Sequence, residues 1–353
     1  MFRILGRVAL TCALALGITA LPAAQTKGTT TPPPTTTLPP PIHIDAIEIS
    51  ADIRGNEGTE GLTNLPKTMP AATINGVNNL FLAVAPGVDQ VTRSWMNCEH
   101  TIAGFDTIND WFTCRLPHMQ AISVDGQTAT MSELDPAWAE DITLTYQAVF
   151  PHYIDLHATF VPHDASLFTN AAGYGGYAVQ MFASYMPQTT DVGIYTMCIP
   201  SAGAPEQWCR LSMNPPGGSW FNVNASALPV DPAPASTFGF ATTYKGNLKS
   251  VDYPRYTQPY YCAHITSTNK TYEIMFDRSF SATDQIRLTQ FLWTVKDGVG
   301  TPAWDWQYVI NHVVSDVTYG FNARMAIYPY DAATFQSSCQ TEYAMYQASL
   351  PIQ

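Results

Sequence analysis

Apolar and polar side chains alternate with a period of two along Tyr153-Ile154-Asp155-Leu156-His157-Ala158-Thr159-Phe160. Ile154, Leu156, Ala158 and Phe160 fall on one face and Asp155, His157 and Thr159 on the other, the pattern of a half-buried strand. Comparable runs span Gly176 to Met186, Val192 to Cys198, Pro259 to Thr266, Thr271 to Asp277, Arg287 to Val295, Trp304 to Ile310 and Phe321 to Tyr328. Turn-forming clusters such as Pro215-Pro216-Gly217-Gly218 and Lys296-Asp297-Gly298 separate several of them. Upstream, Ala121 to Val124 and Gln127 to Thr130 flank Asp125-Gly126, a strong two-residue hairpin signal. Gly173-Tyr174-Gly175-Gly176-Tyr177 introduces a strand and not a helix N-terminus, so it reads as a tight turn without the donors that cradle phosphate. Helical spacing is confined to Ala332 to Gln347, with Phe335, Cys339, Tyr343 and Tyr346 near one face and Asp331 as the expected cap. The pattern predicts an all-β fold, a large antiparallel β-sandwich of supersandwich or jelly-roll type with a short C-terminal helix.

The N-terminal region departs from this pattern. Arg3 and Arg7 precede an apolar run from Val8 to Leu21 that ends in Ala23 and Ala24, the layout of an export signal. Thr29-Thr30-Thr31-Pro32-Pro33-Pro34 and Thr35-Thr36-Thr37-Leu38-Pro39-Pro40-Pro41 then favour extended polyproline II and cannot bury a core. The expected organisation is a signal peptide over 1–24, a Pro/Thr-rich linker over 25–41 and a single large β-sandwich domain over 42–353. The protein is expected to be secreted, periplasmic or at the cell surface. No membrane span is expected, since no run approaches the ~20 apolar residues of a spanning helix.

Export gives the cysteines their meaning. Of seven, Cys12 falls in the expected leader, and the even number left favours disulfides over thiol chemistry. Local pairing joins Cys98 with Cys114 and Cys198 with Cys209, leaving Cys262 for Cys339, one of fifteen possible connectivities. No Cys-x-x-Cys spacing supports zinc.

Charge narrows the partners. The 28 acidic and 16 basic residues give a net charge of −12, which makes nucleic acid and anionic lipid poor partners. Charged residues are 12% of the chain and aromatics another 12%, so Thr, Ser, Asn, Gln and Tyr carry most of the polarity and suit neutral, hydroxylated ligands. Strand propensity alone accounts for the same composition. Oligomeric state has no signature in the sequence.

Several catalytic machines are absent: there is no Gly-x-Ser-x-Gly elbow, no phosphate-binding Gly-rich loop and no His-Glu-x-x-His helix. The densest polar cluster is His152, Asp155, His157, His163 and Asp164. Asp155 and His157 project from one strand face and suit an oriented acid-base pair. With His152 and His163 they are also the candidate ligands for a metal ion, the one cofactor left open. A solvated strand face carries the same residues. A second constellation joins Asp252 to Tyr261, including Tyr253-Pro254-Arg255-Tyr256, with Phe276-Asp277-Arg278 and Pro302-Ala303-Trp304-Asp305-Trp306-Gln307. Sugar faces stack on rings while their hydroxyls need donors and acceptors, so these motifs suit a carbohydrate. Trp304 and Trp306 share one face of their strand and Asp305 and Gln307 the other, so one pair is core and the other is free to face a ligand. Buried ion pairs involving Arg255, Asp277 and Asp305 are the structural alternative.

Tyr153 to Phe160, Tyr174-Gly175 through Phe182-Ala183-Ser184-Tyr185-Met186, Tyr253 to Tyr256 with Pro259-Tyr260-Tyr261, and Pro302 to Gln307 together resemble successive motifs of a bacterial β-sandwich family similar to galactose-mutarotase-like supersandwich proteins. The resemblance spans about residues 140 to 330 and implies a fold that polysaccharide-degrading enzymes also use. The Pro/Thr spacer and the cysteines depart from it, and it implies no particular reaction. The expected function is that of a secreted carbohydrate-active protein acting on a polysaccharide or oligosaccharide by acid-base chemistry, as a hydrolase or lyase. Asp305, Asp277 and Asp164 are the candidate carboxylates, and His157 or His163 the candidate histidine. The alternative is a non-catalytic glycan-binding or cell-surface module with Tyr185, Arg255, Tyr256, Trp304 and Gln307 as contacts.

Overall fold

The computed structural model describes residues 40–56, 75–91, 94–102, 119–135, 138–168, 176–187, 191–212, 220–227, 250–294 and 300–351. The expected leader and most of the Pro/Thr segment lie outside them. Four strands, β1 (Ile42–Asp45), β2 (Ile49–Arg54), β3 (Gly76–Leu82) and β4 (Ala85–Asp89), form a small sheet in sequence order. A second, larger sheet contains β5 (Asn97–Ile102), β6 (Gln120–Asp125), β7 (Thr128–Asp135), β8 (Glu140–Val149), β9 (Tyr153–Pro162), β10 (Ala178–Ala183), β11 (Ile194–Ile199) and β12 (Gln207–Leu211). It continues with β13 (Trp220–Ala225), β14 (Ser250–Tyr256), β15 (Tyr260–Ile265), β16 (Lys270–Phe276), β17 (Asp284–Thr294), β18 (Gly300–Ile310) and β19 (Tyr319–Pro329). Its spatial order is β5-β10-β18-β17-β13-β14-β11-β15-β16-β19-β9-β8-β7-β6, with β12 paired to β11. One helix, α1 (Phe335–Ser349), follows the last strand. Every described pairing is antiparallel except β13 with β14.

The long sheet bends back so that its own halves face each other. Although β18 and β19 lie far apart in strand order, Trp306 of β18 packs within 6.5 Å of Phe321 of β19 and 5.6 Å of Phe276 of β16, measured between ring centroids. Phe182 of β10 stacks on Trp306 at 5.0 Å and meets Phe321 edge-on at 5.3 Å, and Phe160 stacks on Tyr308 at 5.8 Å. This aromatic layer is the middle of the sandwich, and Ile44, Ile49, Ile53, Val77 and Leu80 of the small sheet join the same buried cluster. Large rings that fill the gap between two sheet faces bring both buried area and favourable edge-to-face geometry.

Alternation decides which side chains enter that layer. In β9, Ile154, Leu156, Ala158 and Phe160 are buried as predicted, while His157 is exposed and Asp155 and Thr159 are half-buried. The Asp125-Gly126 hairpin forms between β6 and β7, with the Gln127 N–H donating to Asp125 Oδ1 at 2.8 Å. Gly176 closes the turn before β10 at φ +78°, where a Cβ would come within 2.9 Å of the His312 ring. Helix α1 buries Phe335, Cys339 and Tyr346 against the outer side of β15, β16 and β19, and Tyr343 stacks on Tyr260 at 4.6 Å.

One expectation needs correction. Asp331 does not cap α1: the N-cap is Thr334, without a side-chain bond, and Asp331 instead accepts the Ala333 N–H at 2.8 Å in the turn before the helix. The small β1–β4 sheet was not foreseen, because its strands are short and carry polar edges. Of the predicted disulfides, Cys198–Cys209 closes the β11–β12 hairpin with Cα atoms 5.8 Å apart, and Cys262–Cys339 ties β15 to α1 at 6.4 Å. Cys98 is buried on β5, and Cys114 lies outside the described residues.

Candidate functional site

The face of β5, β10, β18 and β17 turned away from the aromatic layer is built of hydrogen-bonding groups. In β18, Trp304, Trp306, Tyr308 and Ile310 point into the core, so Asp305 and Gln307 take the opposite side. In β17, Ile286 and Leu288 are core, and Gln285, Arg287 and Thr289 take the opposite side. The register sets Arg287 against Gln307 and Thr289 against Asp305, with Met181 of β10 on the far side of Gln307. All five polar residues are buried, none more than 1% exposed. Burying a row of hydrogen-bonding groups is costly unless each is satisfied, so it carries a stronger functional signal than buried apolar residues do.

Partners on this face are specific. Ser184 N–H donates to Asp305 Oδ1 at 3.2 Å, and the neighbouring Tyr185 Oη donates to Glu99 Oε1 at 2.6 Å. Asn97 Nδ2 adds a second donor to Glu99 at 3.0 Å. Consecutive residues therefore hold the two carboxylates of the face. The segment carrying them is anchored: Trp95 Nε1 donates to Tyr185 O at 2.9 Å, Met96 N–H to Ser184 Oγ at 3.1 Å and Trp304 N–H to Ser184 O at 3.0 Å. Gln307 Nε2 reaches only the Met181 sulfur at 3.8 Å, and Gln307 Oε1 has no described partner. Whichever way the amide is turned, one polar end lacks an oxygen or nitrogen partner. Gln285 donates to Asn311 Oδ1 at 3.0 Å and leaves its own Oε1 open. Burial pulls the Arg287 guanidinium down to about 9, which leaves it a cation at neutral pH.

The structure divides the predicted contacts. Asp305, Gln307 and Tyr185 come together on this face. Trp304 and Tyr256 do not: both are fully buried in the aromatic layer, where Trp304 packs 5.9 Å from Tyr272 and Tyr256 Oη donates to Ile286 O. Their expected role as sugar-stacking rings is corrected, because the alternation that turns Asp305 outward turns the indoles inward. Arg255 is buried too, donating to Ala225 O at 3.2 Å with its guanidinium 5.7 Å from the Tyr253 ring centroid. Glu99 was missed because a register shift between Met181 and Phe182 interrupts the alternation of β5 opposite. Arg287 and Thr289 carried a legible signal, polar positions alternating with Ile286 and Leu288.

The remaining catalytic candidates lie on the other outer side of the sandwich or at its rim, so Asp277 and Asp305 are not one acid-base pair. Asp277 Oδ2 accepts from Asn322 Nδ2 at 2.7 Å, and Asn322 Oδ1 faces His157 Nδ1 at 2.7 Å. Because the amide nitrogen of Asn322 is committed to Asp277, its oxygen must accept from His157, which places the imidazole proton on Nδ1 and leaves Nε2 as the base. Arg278 bridges Asp277 and Asp284. Asp164 accepts from Ser166 N–H and Oγ at the start of a short 3-10 helix, Ala165–Phe168, and these bonds hold its carboxyl below the usual range, unsuited to proton donation at neutral pH.

The candidate metal ligands do not gather. Asp155 takes a bidentate Arg324, with contacts of 2.7 and 2.8 Å. His163 lies between Asp316 and Asp141, which raise its pKa. His152 loses basicity to burial but is raised overall by bonds to Glu342 and Glu48. Each side chain is thus engaged separately. Elsewhere, a hollow of about 430 Å³ on the small sheet, lined by Asp45, Ile49, Phe81 and Pro86 among others, includes none of the predicted residues.

No family model matches the chain, and no curated protein matches it. Among solved structures it is similar to an aldose epimerase homologue from C. elegans, with 7% identity, TM-score 0.40, and 82% of this chain and 99% of that chain covered. It is also similar to a heparan sulfate lyase from Pedobacter heparinus, with 6% identity, TM-score 0.35, and 80% of this chain but 33% of that chain covered.

Proposed function

We propose that this is an exported carbohydrate-active protein that takes a sugar against the polar face of β5, β10, β18 and β17. The observation that carries this reading is the buried row of Gln285, Arg287, Thr289, Asp305 and Gln307, with open amide oxygens on Gln285 and Gln307, on the side opposite the core. A neutral polyol matches these groups, since its hydroxyls both donate and accept and it brings no charge to be desolvated. Because each of the five side chains is at most 1% exposed, the reading requires that what covers this face moves aside to admit the sugar. Met181 and Ala183 supply the apolar floor a sugar face needs.

The two carboxylates suit acid-base chemistry on a glycosidic or ring oxygen. Asp305 takes the base role, because its backbone donor from Ser184 favours the ionised form. Glu99 accepts from both Tyr185 Oη and Asn97 Nδ2, which favour its ionised form as well, so it suits a nucleophile or the stabilisation of positive charge on the sugar ring. Arg287 stabilises negative charge on a departing oxygen. The binding-only alternative called for an exposed aromatic strip, and the burial of Trp304 and Tyr256 removes that support. Two disulfides fit an oxidising compartment, and no described helix is long and apolar enough to cross a membrane.

A glycan array and a polysaccharide-digestion screen on the full chain test the proposal. Turnover that is lost in Asp305→Asn, and binding that is weakened about tenfold in Gln307→Leu, with both variants still folded, support it. Activity on a glycan that survives both substitutions would place the site elsewhere.

A further inference from the structure

We propose that the dithiol form of Cys262 and Cys339, together with Glu273, is a binding site for a thiophilic divalent cation such as zinc, and that the disulfide is the closed, metal-free form of this site. The three ligand atoms lie within 4.8 Å of one another, and all three residues are fully buried. Cys262 is on β15, Glu273 stands opposite it in the register on β16, and Cys339 is on α1. The ligands thus come from two strands and the helix that covers them.

Glu273 is the second, independent observation. A disulfide beneath a helix needs only apolar neighbours, yet a carboxyl group is buried beside it. One oxygen, Oε2, accepts from Tyr328 Oη at 2.7 Å, while Oε1 has no described partner. A buried carboxyl with an open oxygen costs more than the glutamine or leucine that would fill the same space. A cation bound to Oε1 and both sulfurs removes that cost. Tyr328 Oη also lies 3.5 Å from Cys339 Sγ, so one phenol would orient both a carboxylate and a thiolate ligand.

The geometry asks for little movement. Tetrahedral zinc, with bonds of ~2.3 Å to sulfur and ~2.0–2.2 Å to oxygen, needs ligand atoms roughly 3.5 Å apart. Breaking the S–S bond separates the sulfurs to about that distance by van der Waals repulsion alone. A dithiol reductant supplies the two electrons and two protons: its sulfurs become a disulfide, and Cys262 and Cys339 become thiols. Binding of the cation then displaces one proton from each thiol and one from the Glu273 carboxyl. Three protein ligands leave a fourth position for water. A disulfide oxidant takes two electrons from the pair and is itself reduced to two thiols, which re-forms the Cys262–Cys339 bond, withdraws both thiolates and expels the cation.

The test uses the full chain carrying Cys198→Ser and Cys209→Ser, reduced under anaerobic conditions with a phosphine and titrated with Co²⁺ and Zn²⁺. One equivalent of Co²⁺ should bind with thiolate charge-transfer and tetrahedral d–d bands, and zinc should displace it. Glu273→Gln and Cys339→Ser should each lose these bands, and Tyr328→Phe should weaken binding about 10–100-fold. The oxidised protein should show none. Bands that persist in both Glu273→Gln and Cys339→Ser would overturn the proposal. So would a reduced protein that binds no cobalt, whether it keeps its circular dichroism or unfolds without recovering it on metal addition.

Discussion

Arg287 on β17 and Gln307 on β18 are register partners, both fully buried on the side of their strands that turns away from the aromatic core. Gln307 makes no strong hydrogen bond of its own among the described residues, so replacing it with leucine leaves no partner stranded. Gln307→Leu should leave the unfolding midpoint unchanged or higher while weakening glycan binding about tenfold, the value of one hydrogen bond of ~1–2 kcal/mol. Denaturant titration and glycan binding on the same sample check this. A destabilised variant with intact binding would assign Gln307 to packing.

Trp304 belongs to the core. Trp304→Ala should cost about 3–5 kcal/mol, as large-to-small changes in packed interiors do. Trp304→Phe should cost clearly less, because the indole Nε1 has no described hydrogen-bond partner to lose. Urea midpoints for both variants decide it, and a mild Trp304→Ala effect with a selective loss of binding would restore the ring to a ligand site.

Burial holds the Glu273 carboxyl well above its ordinary value of 4.5. Below that value both folded and unfolded chains carry the proton, and the fold keeps its full contribution. As pH rises beyond it the unfolded chain releases the proton first, so stability falls, by at most about 1.4 kcal/mol per pH unit. Glu273→Gln should therefore gain on the wild type steadily from pH 5 towards neutrality. A difference that stays flat over this range would show that Glu273 is ionised in the fold.

The two described disulfides should differ in weight. Cys262 and Cys339 are 77 residues apart and Cys198 and Cys209 are 11 apart, so the loop-entropy model gives about 4–5 kcal/mol for the first and about 3 kcal/mol for the second. Paired Cys→Ser variants compared by guanidinium unfolding test the order. Equal losses would mean that α1 stays docked without its covalent tie.

His157 should be the Nδ1–H tautomer when neutral, since Asn322 presents its oxygen to that nitrogen and its amide group to Asp277. Nitrogen NMR of the imidazole reads this directly, and Asn322→Leu should return the ring to its usual preference for Nε2–H. An Nε2–H form in the wild type would break the relay.

The strands were legible wherever one face is core and the other is wet. Tyr153 to Phe160 became β9 with the predicted burial, and Trp304 to Ile310, Phe321 to Tyr328 and the Asp125-Gly126 hairpin formed within a few residues of their expected bounds. Helix α1 was legible from the spacing of Phe335, Cys339 and Tyr346, and two disulfides followed from cysteine positions and local pairing. Apart from Cys262–Cys339, which followed by elimination and spans 77 residues, these rest on interactions between residues close in sequence, or on a period that two neighbouring strands share.

What only the tertiary structure decided is which side of each strand meets the other half of the sandwich. The sequence placed Trp304 and Trp306 on one side of β18 and Asp305 and Gln307 on the other, but period two is symmetric and does not say which side is core. Packing of Trp306 against Phe182, Phe276 and Phe321, from strands distant in sequence, turned the indoles inward and left Asp305 and Gln307 beside Arg287. The same folding-over sent Asp277 and His157 to the opposite side. Glu99 joined Tyr185 only through a bulge that no local pattern announces. Alternation is a property of one strand, whereas a site on a sandwich is a sum over strands whose order and facing are set by long-range burial of aromatic surface.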